Sequence, residues 1–159
     1  MCCGYSMNEK EKMEAIWFAN KHTNDGLKYW VCSDSGATIS VMNDKCLFDS
    51  ANFTKTGPVK VQTTGGMYDT INTTGVFDLL PIVHFDKNCF MNIWCQYDIH
   101  NSKEFEITDV RDDLNNKYIG YDAYISKYDV TLNFRYHGKL LMANIEELIL
   151  RKNSKVFEV

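Results

Sequence analysis

Asp34-Ser35-Gly36-Ala37 is the string in this 159-residue chain whose residue types and spacing best suit bond-breaking chemistry. The Asp offers a carboxylate able to take or give a proton, and the hydroxyl beside it can hydrogen-bond the turn. Gly allows close backbone approach and unusual dihedrals, while Ala is small enough to pack beneath a pair of carboxylates. The string follows the apolar stretch Tyr29-Trp30-Val31-Cys32, so it reads as a turn presented at the end of a strand.

Two further segments must position that turn. Val59-Lys60-Val61-Gln62-Thr63-Thr64-Gly65-Gly66-Met67-Tyr68-Asp69-Thr70-Ile71 reads as two β-rich arms around a Gly-Gly tip, the sequence form of a hairpin with a primed turn. Phe90-Met91-Asn92-Ile93-Trp94-Cys95-Gln96 is a short apolar run ending in a small residue. The remaining pattern is of short β segments broken by Gly, Asn, Asp and Thr. Strands are expected over Tyr29–Ser33, Ile39–Met42, Val59–Gln62, Met67–Asn72, Val76–Val83 and Cys89–Ile93. Beyond them, Glu104–Thr108, Tyr121–Ser126, Tyr128–Tyr136 and Lys139–Asn144 read as strands, with Gly138 turning the last hairpin. Ile145–Arg151 reads as a short amphipathic helix. Residues 8–22 read as another helix, capped by Asn8 with Glu11 three places on. Its stripe of Met13, Ile16 and Trp17 either packs on the body or belongs to a pro-segment. The acidic stretch Asp109-Val110-Arg111-Asp112-Asp113 reads as a solvated loop or helix start.

Composition narrows the function classes. A hydrophobic fraction of 45% and a charged fraction of 24% are ordinary for a globular protein, and the length suits one domain with modest extensions. Net charge is −4 and no basic run occurs, so direct nucleic-acid binding is not expected. No apolar stretch is long enough to cross a bilayer, and Met1-Cys2-Cys3-Gly4-Tyr5 lacks the regions of a signal peptide. Six cysteines without CxxC spacing, and four scattered histidines, suggest reduced thiols in the cytoplasm, no metal site and no cofactor.

The order of turn, glycine-tipped hairpin and apolar run resembles the retropepsins, the single-domain aspartic proteases of retroviruses and retrotransposons. The likeness is greatest to the Ty1/copia retrotransposon type, through Asp34-Ser35-Gly36-Ala37-Thr38-Ile39-Ser40-Val41-Met42 and Gly138-Lys139-Leu140-Leu141-Met142-Ala143-Asn144-Ile145. It spans residues 28 to 145. Retroviral members carry Leu or Val before the Asp, where this chain has Ser33, and Gly after the second run, where it has Cys95. Their paired acid and Arg are replaced by Thr38 and Gln96, which removes both charges together.

The resemblance implies a mainly β fold, a retropepsin-like acid-protease β-barrel, with a short helix starting near Cys95. It implies an N-terminal helix or linker over 1–27, a core over 28–103 and a β-rich C-terminal extension over 104–159 that leads toward an integrase junction. Asp34, Ser35 and Gly36 would be catalytic; Ala37, Thr38, Thr64, Gly65 and Gly66 would bind substrate, the last three as a flap. One motif per chain implies a homodimer in which two Asp34 carboxylates meet on a two-fold axis. The substrate implied is the element's own Gag-Pol polyprotein, cleaved in the cytoplasm or within virus-like particles. Ser33 and Cys95 leave open a second reading, a domain of this fold that dimerises or binds peptides without cleaving them.

Overall fold

The computed structural model describes residues 2–5, 10, 13, 27–63 and 68–156. The chain is mainly β, with one open sheet and a C-terminal helix. In chain order the strands are β1 (Cys2–Tyr5), β2 (Trp30–Asp34), β3 (Ser40–Met42), β4 (Phe53–Thr63), β5 (Tyr68–Gly75) and β6 (Val83–Phe85). They continue as β7 (Asn92–Cys95), β8 (Glu106–Arg111), β9 (Tyr118–Ile125), β10 (Val130–His137) and β11 (Leu140–Asn144). A 3-10 turn (Lys45–Leu47) follows β3, helix α1 (Gln96–Asn101) follows β7, and helix α2 (Glu146–Val156) follows β11. The strand order is β1-β4-β5-β6-β3-β7-β2-β11-β10-β9-β8. Of the helix expected over 8–22, only Lys10 and Met13 lie among the described residues.

The centre of the sheet departs from simple neighbour pairing. β2 and β3 follow one another in the chain, yet β7 lies between them, parallel to β2 and antiparallel to β3. Every residue of β3 and β7 is buried, as are the last four of β2. Strands covered on both faces read as continuous apolar runs, which explains why Trp30-Val31-Cys32 and Ile93-Trp94-Cys95 show no alternation. Val31, Trp94, Tyr121, Phe134, Leu148 and Ile149 belong to one apolar core. Cys32, Ala37, Ile39, Val41, Ile93 and Met142 belong to a second. Successive strand residues point to opposite faces, so Ser33 shares the first side with Val31 and Asp34 the second with Cys32.

The C-terminal strands form an antiparallel meander, β8 to β11, and its last member pairs with β2, Met142 opposite Cys32. Strands β8 to β11 therefore share a sheet with β2 and β7, and helix α2 shares their core. Gly138, at φ 65°, makes the turn into β11. Gly120, at φ 140°, lets β9 approach β10 closely, since a Cβ there would stand 1.9 Å from the Phe134 carbonyl oxygen. Helix α2 opens on Asn144, whose Oδ1 accepts the Glu146 amide at 2.8 Å, with Glu146 and Glu147 in its first turn.

Three sequence expectations are corrected. The strand expected over Val76–Val83 is a loop as far as residue 82, and only Val83–Phe85 is strand. Polar tertiary contacts override the local β pattern there: Asp49 Oδ2 accepts the Asp78 amide at 2.8 Å, and the Asp78 carboxylate receives Lys127, Tyr128 and Lys152. Pro81 also has no N–H for a ladder. The strand expected over Cys89–Ile93 begins at Asn92, a fully buried amide that accepts from Asn43 N and donates to the Lys28 and Trp30 carbonyls. In the acidic stretch, Asp109, Val110 and Arg111 end β8, and the turn begins only at Asp112.

Candidate active site

The Asp34 turn is built by its own backbone. Asp34 Oδ1 accepts the Gly36 amide at 2.8 Å, and the Asp34 carbonyl accepts the Ala37 amide at 3.3 Å. A short acidic side chain bonded to the amide two residues on closes a turn locally, and Gly36 crowds it least. Asp34 and Ala37 are buried, while Ser35, Gly36 and Thr38 are exposed. The sequence thus places a carboxylate just beneath a solvent-facing loop.

The inserted strand fixes the other side. Asp34 stands opposite Cys95 at the end of the β2–β7 ladder. Ser40, the first residue of β3 and fully buried, accepts the Cys95 amide on its Oγ at 2.9 Å. Both ends of the loop from Asp34 to Ser40 are therefore tied to one residue of β7. Burial pushes the Cys95 thiol up from its ordinary range, and the Asp34 and Asp98 charges add to this against amide hydrogen bonds from Tyr97 and Asp98. Burial also raises the Asp98 carboxyl, opposed by its hydrogen bond with Cys95. This keeps Cys95 a neutral thiol packed beside the Asp34 turn.

Behind the turn, on the opposite face, lies a contact that the sequence did not announce. Ser33 Oγ is 2.6 Å from Tyr121 Oη, and it donates to Gln96 Oε1 at 3.4 Å. Ser has a single hydroxyl proton, so donation to Gln96 makes Tyr121 the donor in the other bond. Ser33 signalled this need in the sequence, because a polar group at the end of a buried strand requires a partner. Nothing in the sequence said that the partner would come from β9.

The hairpin arms are present as β4 and β5, paired antiparallel from Phe53 opposite Gly75 to Gln62 opposite Tyr68. Ile71 and Val59 pack in the same apolar cluster as Cys32, Ala37 and Ile39, which places the arms on the Asp34 side. The expected substrate-binding residues Thr64, Gly65 and Gly66 lie outside the described residues. On its outer edge β4 pairs in parallel with β1, Cys2 opposite Lys60 through Tyr5 opposite Thr63.

The chain matches no protein-family model, and no curated protein or solved structure matches it. Among the described residues no group of three or more His, Cys, Asp or Glu side chains could hold a metal ion. No helix among them is long and apolar enough to cross a membrane. What the site offers is one carboxylate held by its own turn, a hydroxyl and a glycine beside it, and a two-stranded arm on the same side.

Proposed function

We propose that this chain is an aspartic endopeptidase of the retropepsin type, active as a homodimer on an extended segment of its own polyprotein. The observation that supports this most is the insertion of β7 between β2 and β3, which sets Asp34 at a strand end on the side where the hairpin arms pack. An ordinary Asp-capped turn between neighbouring strands needs no such arrangement.

One carboxylate is not enough for the reaction, because peptide hydrolysis needs a base for water and an acid for the carbonyl. Two Asp34 residues across a two-fold axis supply both, since close carboxylates share one proton, the behaviour best known from aspartic proteases themselves. The ionised member takes a proton from water as the water oxygen bonds to the scissile carbonyl carbon. The protonated member gives its proton to the carbonyl oxygen. In the second step the now-ionised carboxylate removes a proton from the diol, the C–N bond breaks, and the other carboxyl protonates the departing nitrogen. Ser35 and Gly36 shape the turn, and Ala37, Thr38, Thr64, Gly65 and Gly66 would bind the substrate backbone, as the resemblance implies.

The test is cleavage of a mixed peptide library by the parent chain and by Asp34→Asn, followed by mass spectrometry from acidic to neutral pH. Cleavage that disappears in the variant and is blocked by pepstatin supports the reading. A folded dimer that cleaves nothing under any of these conditions overturns it.

A further inference from the structure

We infer that Tyr121, on β9, is a positioning residue for the Asp34 turn and acts through Ser33. The inference rests on the proteolytic reading for its catalytic meaning, but its structural content can be measured without activity.

The geometry begins with the strand alternation. Ser33 and Asp34 are consecutive and point to opposite faces of β2, so a hydrogen bond to Ser33 holds the strand end from behind while the carboxylate faces forward. The bond at 2.6 Å is buried, and its donor is itself fixed. The Tyr121 ring stacks on Phe134 at 4.7 Å and 25°, and meets the His100 ring of α1 edge-on at 4.8 Å and 76°. Tyr121 is fully buried. Its preceding residue, Gly120, allows the close approach of β9 to the Phe134 carbonyl that sets this ring in place. Ser33 passes the constraint on to Gln96, the first residue of α1. One hydroxyl thus joins the end of β2, the start of α1 and the middle of β9.

On the forward side, Asp34 keeps its carboxylate on the Gly36 amide at 2.8 Å. A strand end free to tilt would move that carboxylate, and displacements of about 1 Å can cost on the order of a hundredfold in rate. Tyr121 takes no part in the bond-breaking step. It sets where Asp34 stands.

The experiment is a cycle of Tyr121→Phe, Ser33→Ala and the double variant, read by amide hydrogen exchange at Gly36 and by kcat and KM on a cleaved peptide. Tyr121→Phe keeps the ring stack and removes only the hydroxyl. The expected result is faster exchange at Gly36, on the order of tenfold, with Val130 and Leu132 of β10 unchanged. The double variant should match Ser33→Ala, because the Tyr121 hydroxyl acts only through Ser33. Ser33→Ala should loosen Gly36 at least as much as Tyr121→Phe, since it also removes the bond to Gln96, and kcat should fall with KM held. Unchanged exchange at Gly36 in Tyr121→Phe and Ser33→Ala overturns the inference. So does uniform loosening of Gly36 and β10 together, which is the mark of a merely structural tyrosine. Should Tyr121→Phe fail to fold, Ser33→Ala carries the same readout from the other partner. If the parent cleaves nothing, the Gly36 measurement still decides the positioning question, so the failure of one reading is distinct from the failure of the other.

Discussion

Ser40 and Cys95 are joined across the inserted strand: the Cys95 amide donates to Ser40 Oγ at 2.9 Å, with both residues buried. The pairing holds the start of β3 against the end of β7, opposite Asp34. Replacing Ser40 by Ala leaves a buried amide without this acceptor, which costs about 1–3 kcal/mol. Urea unfolding of Ser40→Ala should show that loss, and the proposed proteolytic activity should fall further than stability alone accounts for. A variant as stable as the parent would remove Ser40 from this role.

The C-terminal helix is clamped by a buried cation. Lys152 Nζ lies 2.6 Å from carboxylate oxygens of both Asp49 and Asp78, and 4.0 Å above the Phe77 ring. Lys152→Met leaves Asp49 without this cation and Asp78 with only Lys127 and Tyr128, and should destabilise the fold by about 1–3 kcal/mol. Burial favours protonation of Asp78, but hydrogen bonds from Lys127, Lys152 and Tyr128 outweigh it and hold its carboxyl well below the ordinary 3.8. A depressed carboxyl stabilises the fold above its unfolded value and loses that contribution as pH falls through the folded one. The stability gap between parent and Asp78→Asn should therefore be full at neutral pH and shrink in strong acid below about pH 4. An equal gap at pH 7 and pH 2 would argue against the ionised cluster.

His84 sets a different acid limit. It is buried on β6, its Nδ1 has no hydrogen-bond partner, and burial pushes its pKa below the usual 6.5, against a hydrogen bond at the Ser40 backbone. The unfolded chain binds this proton more readily, so stability is complete above about pH 6.5 and declines as pH drops toward the folded value. His84→Phe should flatten the stability profile in that window while leaving the steeper loss in strong acid. Thermal melts every half unit between pH 7.5 and 4.5 would read it. A parent profile already flat there would refute the assignment.

Truncation after residue 103 should abolish folding, although the resemblance that runs through Asp34 treats residues 104–159 as an extension. The cut removes β11, which pairs with β2, and Tyr121, which satisfies Ser33. It also removes Ile125, Leu132, Phe134 and Leu148 from the main core. Circular dichroism should show a loss of strand signal well beyond the deleted share, whereas a cooperatively unfolding fragment would contradict this.

The sequence made local features legible and long-range ones opaque. The Asp34 turn, the two hairpin arms, the C-terminal hairpins and the final helix could be read because each depends on neighbours within a few residues: a Gly, an apolar run, an alternation. The strand misread over Val76–Val83 failed because Asp78 is claimed by Lys127, Tyr128 and Lys152, residues far along the chain. The start of β7 was misplaced because Cys89-Phe90-Met91 is as apolar as the strand itself, and nothing local says that the ladder with β2 begins only at Asn92. Ser33 looked like a departure from pattern and is a satisfied donor and acceptor. Helix α2 runs past Arg151 because Lys152 finds two carboxylates, a fact no helical periodicity contains.

The pairing of Cys32 with Met142 also has a meaning in time. The strand that ends in Asp34 is flanked by segments made much later, Asn92–Cys95 and then Leu140–Asn144. Loop closure over such separations is slow, and a ribosome delivers the chain from its N-terminus. The turn is thus translated early but framed last. Any activity it has must stay silent in the nascent chain until the final strand emerges and seats beside it.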